Sequence, residues 1–294
     1  MHKHNFMYLL TVVLLLHYTA LYGQSSKEGI RWFEMRGTEI REVHSEITHQ
    51  DYELIINIPY SYKTNTSKHY PVVYFCDGFY DFALLSMIYA DLIYDKTVDE
   101  CFLVGFSYKG ENLDYGKLRT HDYTPTSQGL LSSLFYPTGG APEFMKVVER
   151  EFIPFMEKNY RVDTSFRALG GSSLGGLFTL YALFTRPNLF NSYIAISPAT
   201  NWDNDWLFQY EEEFYKQHTN LPVALYMTGA EKEFADRPEF LQGIKRFDEV
   251  LKKHSYQNFR YKFRILDDAY HASSKPEGYT RGMQFIFAPL LKNN

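Results

Sequence analysis

Residues 170–176 read Gly-Gly-Ser-Ser-Leu-Gly-Gly and contain a G-x-S-x-G frame centred on Ser173. The short apolar segment before it, 166–169, predicts a buried strand, and the apolar run after it, 177–184, predicts a buried helix. A serine on a sharp turn between a strand and a helix has an exposed hydroxyl, and the N–H of the next residue, here Leu174, is directed at a developing oxyanion. We therefore predict that Ser173 is a nucleophile.

The rest of the chain alternates between short apolar segments and helix-like segments. Strands are predicted at Tyr70–Cys76, Phe102–Phe106, Tyr193–Ile196, Pro222–Met227 and Phe259–Leu266, and helices at Phe82–Tyr94, Ala141–Tyr160 and Asp236–Lys253. This alternation predicts one α/β domain with a mostly parallel central sheet and helices on both faces. Residues 30–60 alternate apolar and polar side chains, which predicts antiparallel strands at the N-terminal edge of the sheet. Residues 108–140 are polar, and we expect a long functional loop there.

The first 23 residues are typical of a secretory signal peptide. A weakly basic start precedes the apolar run 8–16 and a region suited to cleavage. The run is too short to span a bilayer comfortably, so we expect no stable membrane anchor. The mature domain, 24–294, is then predicted to be secreted or periplasmic. Export permits a disulfide, and Cys76 and Cys101 could be either buried thiols or a bridge.

Composition restricts the class of partner. The chain of 294 residues is 45% hydrophobic and 22% charged, which is ordinary for a globular domain. A formal net charge of −5 without a basic cluster argues against nucleic acid. The 25 tyrosines and 24 phenylalanines suit a cleft for a small ring-shaped or polyol ligand as well as a core. The sequence contains no H-E-x-x-H metal motif.

A serine hydroxyl is a poor nucleophile unless a base takes its proton and a carboxylate orients that base. In enzymes with this strand–turn–helix frame, the acid and then the histidine follow the serine, each just after a strand. His271 follows the last predicted strand and is the candidate base. Glu231 and Glu233 both follow the preceding strand, and we favour Glu233 slightly without excluding Glu231.

Other residues are candidates for the walls of the site. A second oxyanion donor is expected from Gly78–Phe79, after the strand that ends near Cys76. Asp77 could cap the following helix or hold the geometry of the site. Arg119 could bind an anionic group of the substrate, although an ion pair with Asp122 is the favoured alternative. Trp202 and Trp206 could line the cleft.

These motifs, taken together, resemble the esterase D family of α/β-hydrolases, and in particular its secreted branch of siderophore esterases such as enterobactin-type trilactone hydrolases. The likeness covers nearly the whole mature chain, and the motifs that carry it are Tyr70–Tyr74, Asp77–Gly78, Arg119–Pro125, Gly171–Gly176, Ser197–Pro198, His271–Ser273 and Arg281–Gly282. The resemblance implies an α/β-hydrolase fold. One departure concerns the acid, which similar members often place three residues after the glycine, where this chain has Lys232.

The resemblance also implies hydrolysis of carboxylic esters through an acyl-enzyme, with no metal or organic cofactor. It assigns Ser173 as nucleophile, His271 as base, and Gly78–Phe79 with Leu174 as the oxyanion region. Because members of the family act on varied esters and thioesters, siderophore lactones and acylated sugars are both expected small-molecule substrates. The alternative from another class is a binding protein of the same fold without catalysis.

Overall fold

The computed structural model describes residues 33–127 and 136–291. The predicted signal peptide, 1–23, lies outside these residues and remains a prediction. The described residues from Gly37 onward belong to one compact unit. Among the described residues, no helix is long and apolar enough to cross a membrane.

Eight strands form one sheet in this part of the chain. They are β1 (Thr38–His44), β2 (Asp51–Asn57), β3 (Tyr70–Phe75), β4 (Phe102–Tyr108), β5 (Val162–Ser172), β6 (Ser192–Ile196), β7 (Ala224–Lys232) and β8 (Arg260–Tyr270). Their order across the sheet is β1-β2-β4-β3-β5-β6-β7-β8. The β1–β2 and β2–β4 pairs are antiparallel, and the other pairs are parallel. The predicted mostly parallel sheet with antiparallel N-terminal edge strands is therefore confirmed.

Eight α-helices accompany the strands among the described residues. They are α1 (Gly78–Tyr94), α2 (Tyr115–Tyr123), α3 (Ala141–Val147), α4 (Ile153–Asn159), α5 (Leu174–Thr185), α6 (Trp202–Gln217), α7 (Pro238–His254) and α8 (Lys275–Leu291). A π-helical turn, Val148–Phe152, joins α3 to α4. The predicted continuous helix over 141–160 is thus interrupted by this turn.

The central strands are buried because helices cover both faces of the sheet. Every residue of β3, β4 and β6 is buried, as expected for parallel strands with two covered faces. On β6, Tyr193 and Ala195 belong to the core cluster that includes α5. The alternate residues Ile194 and Ile196 lie against Gly282 and Gly278 of α8. The alternation of side chains along one strand therefore serves two separate helical layers.

Several boundaries differ from those predicted. The polar segment 108–140 contains a helix, α2, whose first turn is capped by the Asp114 carboxylate, which accepts a hydrogen bond from the Lys117 N–H at 2.9 Å. Part of that segment, 128–135, lies outside the described residues.

Cys76 and Cys101 are free and buried, so the thiol alternative is the correct one.

Candidate active site

Ser173 lies on a strained turn between β5 and α5. Its backbone has φ 59° and ψ −119°, a conformation that non-glycine residues rarely adopt. Gly171 allows the turn to close, because a Cβ there would lie 2.4 Å from the carbonyl carbon of Gly175. A Cβ on Gly176 would likewise lie 3.0 Å from Pro198, which follows β6. The glycines that flank the serine are therefore required by close backbone approach.

The start of α5 lies next to the start of α1. A Cβ on Gly175 would lie 2.8 Å from Cys76 Cβ and 3.1 Å from Asp77 Oδ2, at the end of β3. Leu174 and Gly78 are the first residues of these two helices. Since the N–H groups of a helix's first turn lack intrahelical acceptors, both helices present free donors and positive dipole ends here. This is the arrangement that the sequence predicts for an oxyanion region.

His271 and Glu233 are brought together by the pairing of β7 with β8. Lys232, the last residue of β7, is paired in register with Tyr270, the last residue of β8. The next residue on each strand is therefore Glu233 beside His271. Nδ1 of His271 lies 2.6 Å from Oε2 of Glu233, so the imidazole Nδ1–H donates to the carboxylate and leaves Nε2 free.

The ring of His271 packs on two phenylalanines that line the same cleft as Ser173. The ring packs on Phe234 with a centroid distance of 4.2 Å and on Phe240 with a centroid distance of 5.2 Å. These two phenylalanines, Ser173 and Leu174 line one cleft with about 860 Å³ of open space. Serine and histidine thus follow β5 and β8 at the same carboxyl edge of the sheet. Sequence reasoning did not find the two phenylalanines, although Phe234 directly follows the glutamate.

The environment of Glu233 favours its ionised form. The residue is 8% exposed, and its Oε1 accepts a hydrogen bond from the Ala230 N–H at 2.8 Å. Burial raises the pKa of Glu233, but hydrogen bonds from His271, Ser197 and Ala230 outweigh it and lower the pKa below its usual value of 4.5. Ser274 supports the same region, because its hydroxyl donates to the His271 carbonyl at 2.8 Å.

The other glutamate candidate, Glu231, has a different partner in the described structure. Glu231 is exposed, and its Oε2 accepts a hydrogen bond from the Asp268 N–H at 2.8 Å. Lys232, which occupies the family's usual acid position, pairs with Asp268 at 2.6 Å and places its ammonium group over the Tyr270 ring. Of the two glutamates that the sequence left open, the structure brings Glu233 to His271.

The predicted ion pair between Arg119 and Asp122 is wrong. Arg119 instead forms a bidentate pair with Asp77, through Nε to Oδ1 at 2.5 Å and Nη2 to Oδ2 at 2.8 Å. Asp122 is buried and accepts hydrogen bonds from the hydroxyls of Tyr52 and Tyr108, each at 3.1 Å. Its carboxylate is therefore already used within the core.

Asp77 has a left-handed backbone conformation, φ 59° and ψ 39°, and its side chain makes no capping hydrogen bond to α1. The capping alternative is therefore wrong, and the carboxylate instead binds Arg119. Burial lowers the pKa of Arg119, but the adjacent Asp77 carboxylate outweighs it and raises that pKa above its ordinary value.

The two tryptophans have different surroundings. Trp202 lines the cleft beside Ser173, and its indole N–H donates to Thr126 Oγ1 at 3.0 Å. Trp206 stacks on Tyr210 with ring centroids 4.6 Å apart, and it packs against the core. Only the first of the two is positioned to contact a substrate in that cleft.

One group of side chains in the described residues could hold a metal ion: Glu211, Glu212 and His254. They lie near the ends of α6 and α7, whereas the beginnings of these helices border the cleft with Ser173. Nδ1 of His254 is 2.9 Å from Glu211 Oε1, so a hydrogen bond between these two side chains already joins the two helices. This group of three side chains is separate from the cleft that contains Ser173.

Comparison with known proteins places the chain in a family. The sequence model of the family described as "Putative esterase" matches residues 45–274. The chain belongs to this esterase family. It is therefore an esterase, a carboxylic ester hydrolase, and the resemblance stated from its motifs is confirmed.

Relatives of this esterase include proteins named for siderophore substrates. It is 27% identical over 270 residues to the ferri-bacillibactin esterase BesA of Bacillus subtilis, covering 87% of this chain and 92% of that protein. It is 36% identical over 102 residues to the siderophore triacetylfusarinine C esterase of Aspergillus fumigatus, covering 34% of this chain and 33% of that protein.

Solved structures agree with the fold. The BES protein from Bacillus cereus superposes with a TM-score of 0.77 at 27% identity, covering 87% of this esterase and 97% of that chain. The siderophore hydrolase EstA from Aspergillus nidulans superposes with a TM-score of 0.74 at 20% identity, covering 88% of this esterase and 99% of that chain. The second similarity concerns the fold alone. Together with the sheet order, these structures confirm an α/β-hydrolase fold.

Proposed function

We propose that this esterase is a serine hydrolase that acts through an acyl-enzyme, with Ser173 as nucleophile, His271 as base and Glu233 as the orienting acid. The contact that carries the proposal is the 2.6 Å approach of His271 Nδ1 to Glu233 Oε2, because it fixes the imidazole tautomer and leaves Nε2 to take a proton. The strained turn at Ser173, with its positive φ, supports the same assignment, since a turn of this kind exposes the hydroxyl.

The proposed reaction has two halves. Ser173 Oγ attacks the ester carbonyl carbon while its proton moves to His271 Nε2, and the resulting oxyanion accepts hydrogen bonds from the N–H groups of Leu174 and Phe79. Collapse of this intermediate breaks the bond to the alcohol, which leaves with the proton from His271. Water then attacks the acyl carbonyl carbon while its proton moves to the same nitrogen. Collapse of the second intermediate breaks the bond between Ser173 Oγ and the acyl group, the proton passes from His271 to Ser173 Oγ, and the acid is released.

The substrate that we propose is a small-molecule ester, either a siderophore lactone or an acylated sugar. The first is supported by the relative that aligns over most of both chains and is named a ferri-bacillibactin esterase. We further propose that residues 1–23 direct export and that the mature enzyme is secreted or periplasmic, on the basis of their basic start and apolar run. Hydrolysis of a panel of siderophore lactones, feruloyl sugars and acetylated sugars distinguishes the substrate classes.

The test of the mechanism is Ser173→Ala assayed on p-nitrophenyl butyrate. Loss of the nucleophile is expected to lower kcat by about 10⁴- to 10⁶-fold and to abolish labelling by a fluorophosphonate probe. Ser172→Ala is the matched control, because Ser172 is 2% exposed and its buried hydroxyl has no hydrogen-bond partner in the described structure. Labelling or full activity in Ser173→Ala would refute the mechanism.

A further inference from the structure

A buried turn after β6 connects the turn of the proposed nucleophile to the strand that leads to the proposed acid. The Ser173 N–H donates to the Ile196 carbonyl at 3.0 Å, and the Ala199 N–H donates to the Ser173 carbonyl at 3.1 Å. Between these two contacts, the Ser197 N–H donates to the Thr228 carbonyl of β7 at 2.9 Å. The turn is therefore fixed to the Ser173 turn on one side and to β7 on the other.

Ser197, within this turn, has a strained backbone. Its φ is 42°, and the residue is 0% exposed. Glycine adopts a positive φ without strain, so the backbone conformation alone would favour glycine at this position. Strained residues of this kind persist only where the surrounding structure holds them, and they cluster at functional sites. The serine hydroxyl is therefore the feature that needs a physical reason.

The Ser197 hydroxyl faces the segment that follows His271. Ser197 Oγ lies 3.3 Å from Ser274 Oγ, and Ser274 is also 0% exposed. The Ser274 hydroxyl donates its one hydrogen to the His271 carbonyl at 2.8 Å. The hydrogen of Ser197 is then available for Ser274 Oγ or for the carboxylate of Glu233, whose pKa the Ser197 hydroxyl helps to lower. The contact between the two hydroxyls thus extends from the Ser173 turn to the backbone of His271.

We propose that Ser197 and Ser274 are positioning residues that together hold the imidazole of His271 in the orientation needed to take the proton of Ser173. This inference rests on the proposed serine mechanism. Because both residues are fully buried, they act through the backbone of the Ser173 turn and the His271 carbonyl rather than through the substrate. A displacement of about 1 Å at reacting groups can cost about 10²-fold in rate. Loss of this support should therefore lower turnover and leave substrate affinity unchanged.

The test measures Ser197→Ala and Ser274→Ala on p-nitrophenyl butyrate. Complete labelling with the fluorophosphonate probe first counts the active sites, and kcat is expressed per labelled serine. In each variant this kcat is expected to fall by about tenfold, the order of one lost hydrogen bond, while KM changes by less than about twofold. A merely structural role would lower the labelled fraction and leave kcat per labelled serine at the wild-type value.

The double variant tests whether the two hydroxyls act together. If the contact between Ser197 and Ser274 carries the support, its kcat should fall no more than about twofold below that of the slower single variant, whereas independent losses would multiply to about a hundredfold. Ser197→Gly removes the same hydroxyl and relieves the strain of the positive φ. It therefore replaces Ser197→Ala if that variant does not fold, with the same expected loss.

Ser255→Ala is the matched control. Ser255 is exposed at the end of α7, has a φ of 49°, and donates its hydroxyl to the Lys252 carbonyl three residues earlier at 2.8 Å, the same kind of contact that Ser274 makes. Its kcat and KM are expected to equal those of the wild type.

Three results would overturn the positioning role. These are a wild-type kcat per labelled serine in the single variants, a rise in KM that accounts for the loss, and losses that multiply in the double variant. Failure of the serine mechanism is distinguished from all three, because in that case the wild-type protein itself would not be labelled at Ser173.

Discussion

Nδ1 of His271 lies 2.6 Å from Oε2 of Glu233, and the two residues are 38 positions apart in the sequence. The contact follows directly from the ladder, since each residue comes one position after the register pair Lys232 and Tyr270. Hydrogen bonding between parallel strands therefore sets the distance between the proposed base and its acid. The side chains of Glu233 and His271 then span the remaining distance between the two strands.

Replacement of the proposed acid should affect turnover far more than replacement of its neighbour. Glu233→Gln keeps the shape of the side chain but removes the charge that stabilises the imidazolium, and we expect kcat to fall by roughly 10²- to 10⁴-fold. Glu231→Gln should change kcat by less than about twofold, because exposed charges of this kind contribute little. Steady-state kinetics on p-nitrophenyl butyrate measure both variants. A larger loss in Glu231→Gln would contradict the assignment.

The contribution of Glu233 to stability should depend on pH. The pKa of its carboxyl is lowered in the folded state, so the ionised form stabilises the fold fully above the unfolded value of about 4.5 and less as pH falls through the lowered folded value. The free energy of unfolding of the wild type minus that of Glu233→Gln is therefore expected to decrease between pH 6 and pH 3. Urea denaturation at several pH values measures it. A difference that stays constant over this range would show that the carboxylate is not preferentially ionised in the folded protein.

Gly175 should be intolerant of even one methyl group. A Cβ there would approach Cys76 Cβ to 2.8 Å and Asp77 Oδ2 to 3.1 Å, which forces the start of α5 away from the end of β3. Because displacement of catalytic groups by about 1 Å can cost about 10²-fold in rate, Gly175→Ala is expected to lower kcat by about that factor. Gly170→Ala is the control in the same motif, since its Cβ would meet Ile194 at an ordinary 3.5 Å. Equal activity of the two variants would disagree with the close packing described.

The pair of Arg119 with Asp77 should matter for stability as well as for the site. The two side chains are 18% and 6% exposed, so Asp77→Asn leaves a largely buried guanidinium without its charge partner and is expected to cost about 3 kcal/mol in free energy of unfolding. The double variant Asp77→Asn/Arg119→Gln should recover part of this loss.

The surface pair of Lys216 with Glu213, with side chains 55% and 65% exposed, is the control for that experiment. Glu213→Gln is expected to cost less than about 0.5 kcal/mol. Chemical denaturation of the wild type and the three variants gives the comparison, and equal costs for the two pairs would count against a structural role for the Asp77 pair.

The two cysteines should be unreactive in the folded protein. Both thiols are free and 0% exposed, and burial raises the pKa of each above its usual range. A colorimetric thiol assay is expected to detect no thiol in the native mature protein and two per chain after denaturation without reductant. Detection of no thiols after denaturation would indicate a disulfide and contradict the structure.

The sequence predicts the central strands and the strand–turn–helix frame around Ser173 well because local patterns determine them. Strands such as β3 and β4 are almost entirely apolar, as expected for strands that are buried on both faces. The G-x-S-x-G frame is equally local, since the glycines on each side of Ser173 are needed within a few residues of it. A local pattern also predicts the antiparallel strands β1 and β2, because apolar and polar side chains alternate along them in the sequence.

Features that depend on distant residues could not be predicted in the same way. Helix α2 has a polar sequence, and its contacts come from distant residues: Arg119 contacts Asp77, and the buried Asp122 accepts hydrogen bonds from hydroxyls of β2 and β4. Aromatic contacts of α2 with the first turn of α1 are equally invisible in the sequence. The choice between Glu231 and Glu233 depends on strand register, which a single sequence does not give.

The pairing of β7 with β8 also bears on how the position of an acid can change during evolution. Three residues of β8, 267–269, lie opposite the single residue Glu231 between two regular pairs of the ladder. Insertion or deletion in this segment would change which β7 side chain stands next to His271, while the serine turn stays where it is. The acid can thus occupy a different position in the sequence and still contact the histidine. The number of residues after Gly229 is consequently a poorer guide to the acid than the pairing of β7 with β8, which determines the residue next to His271.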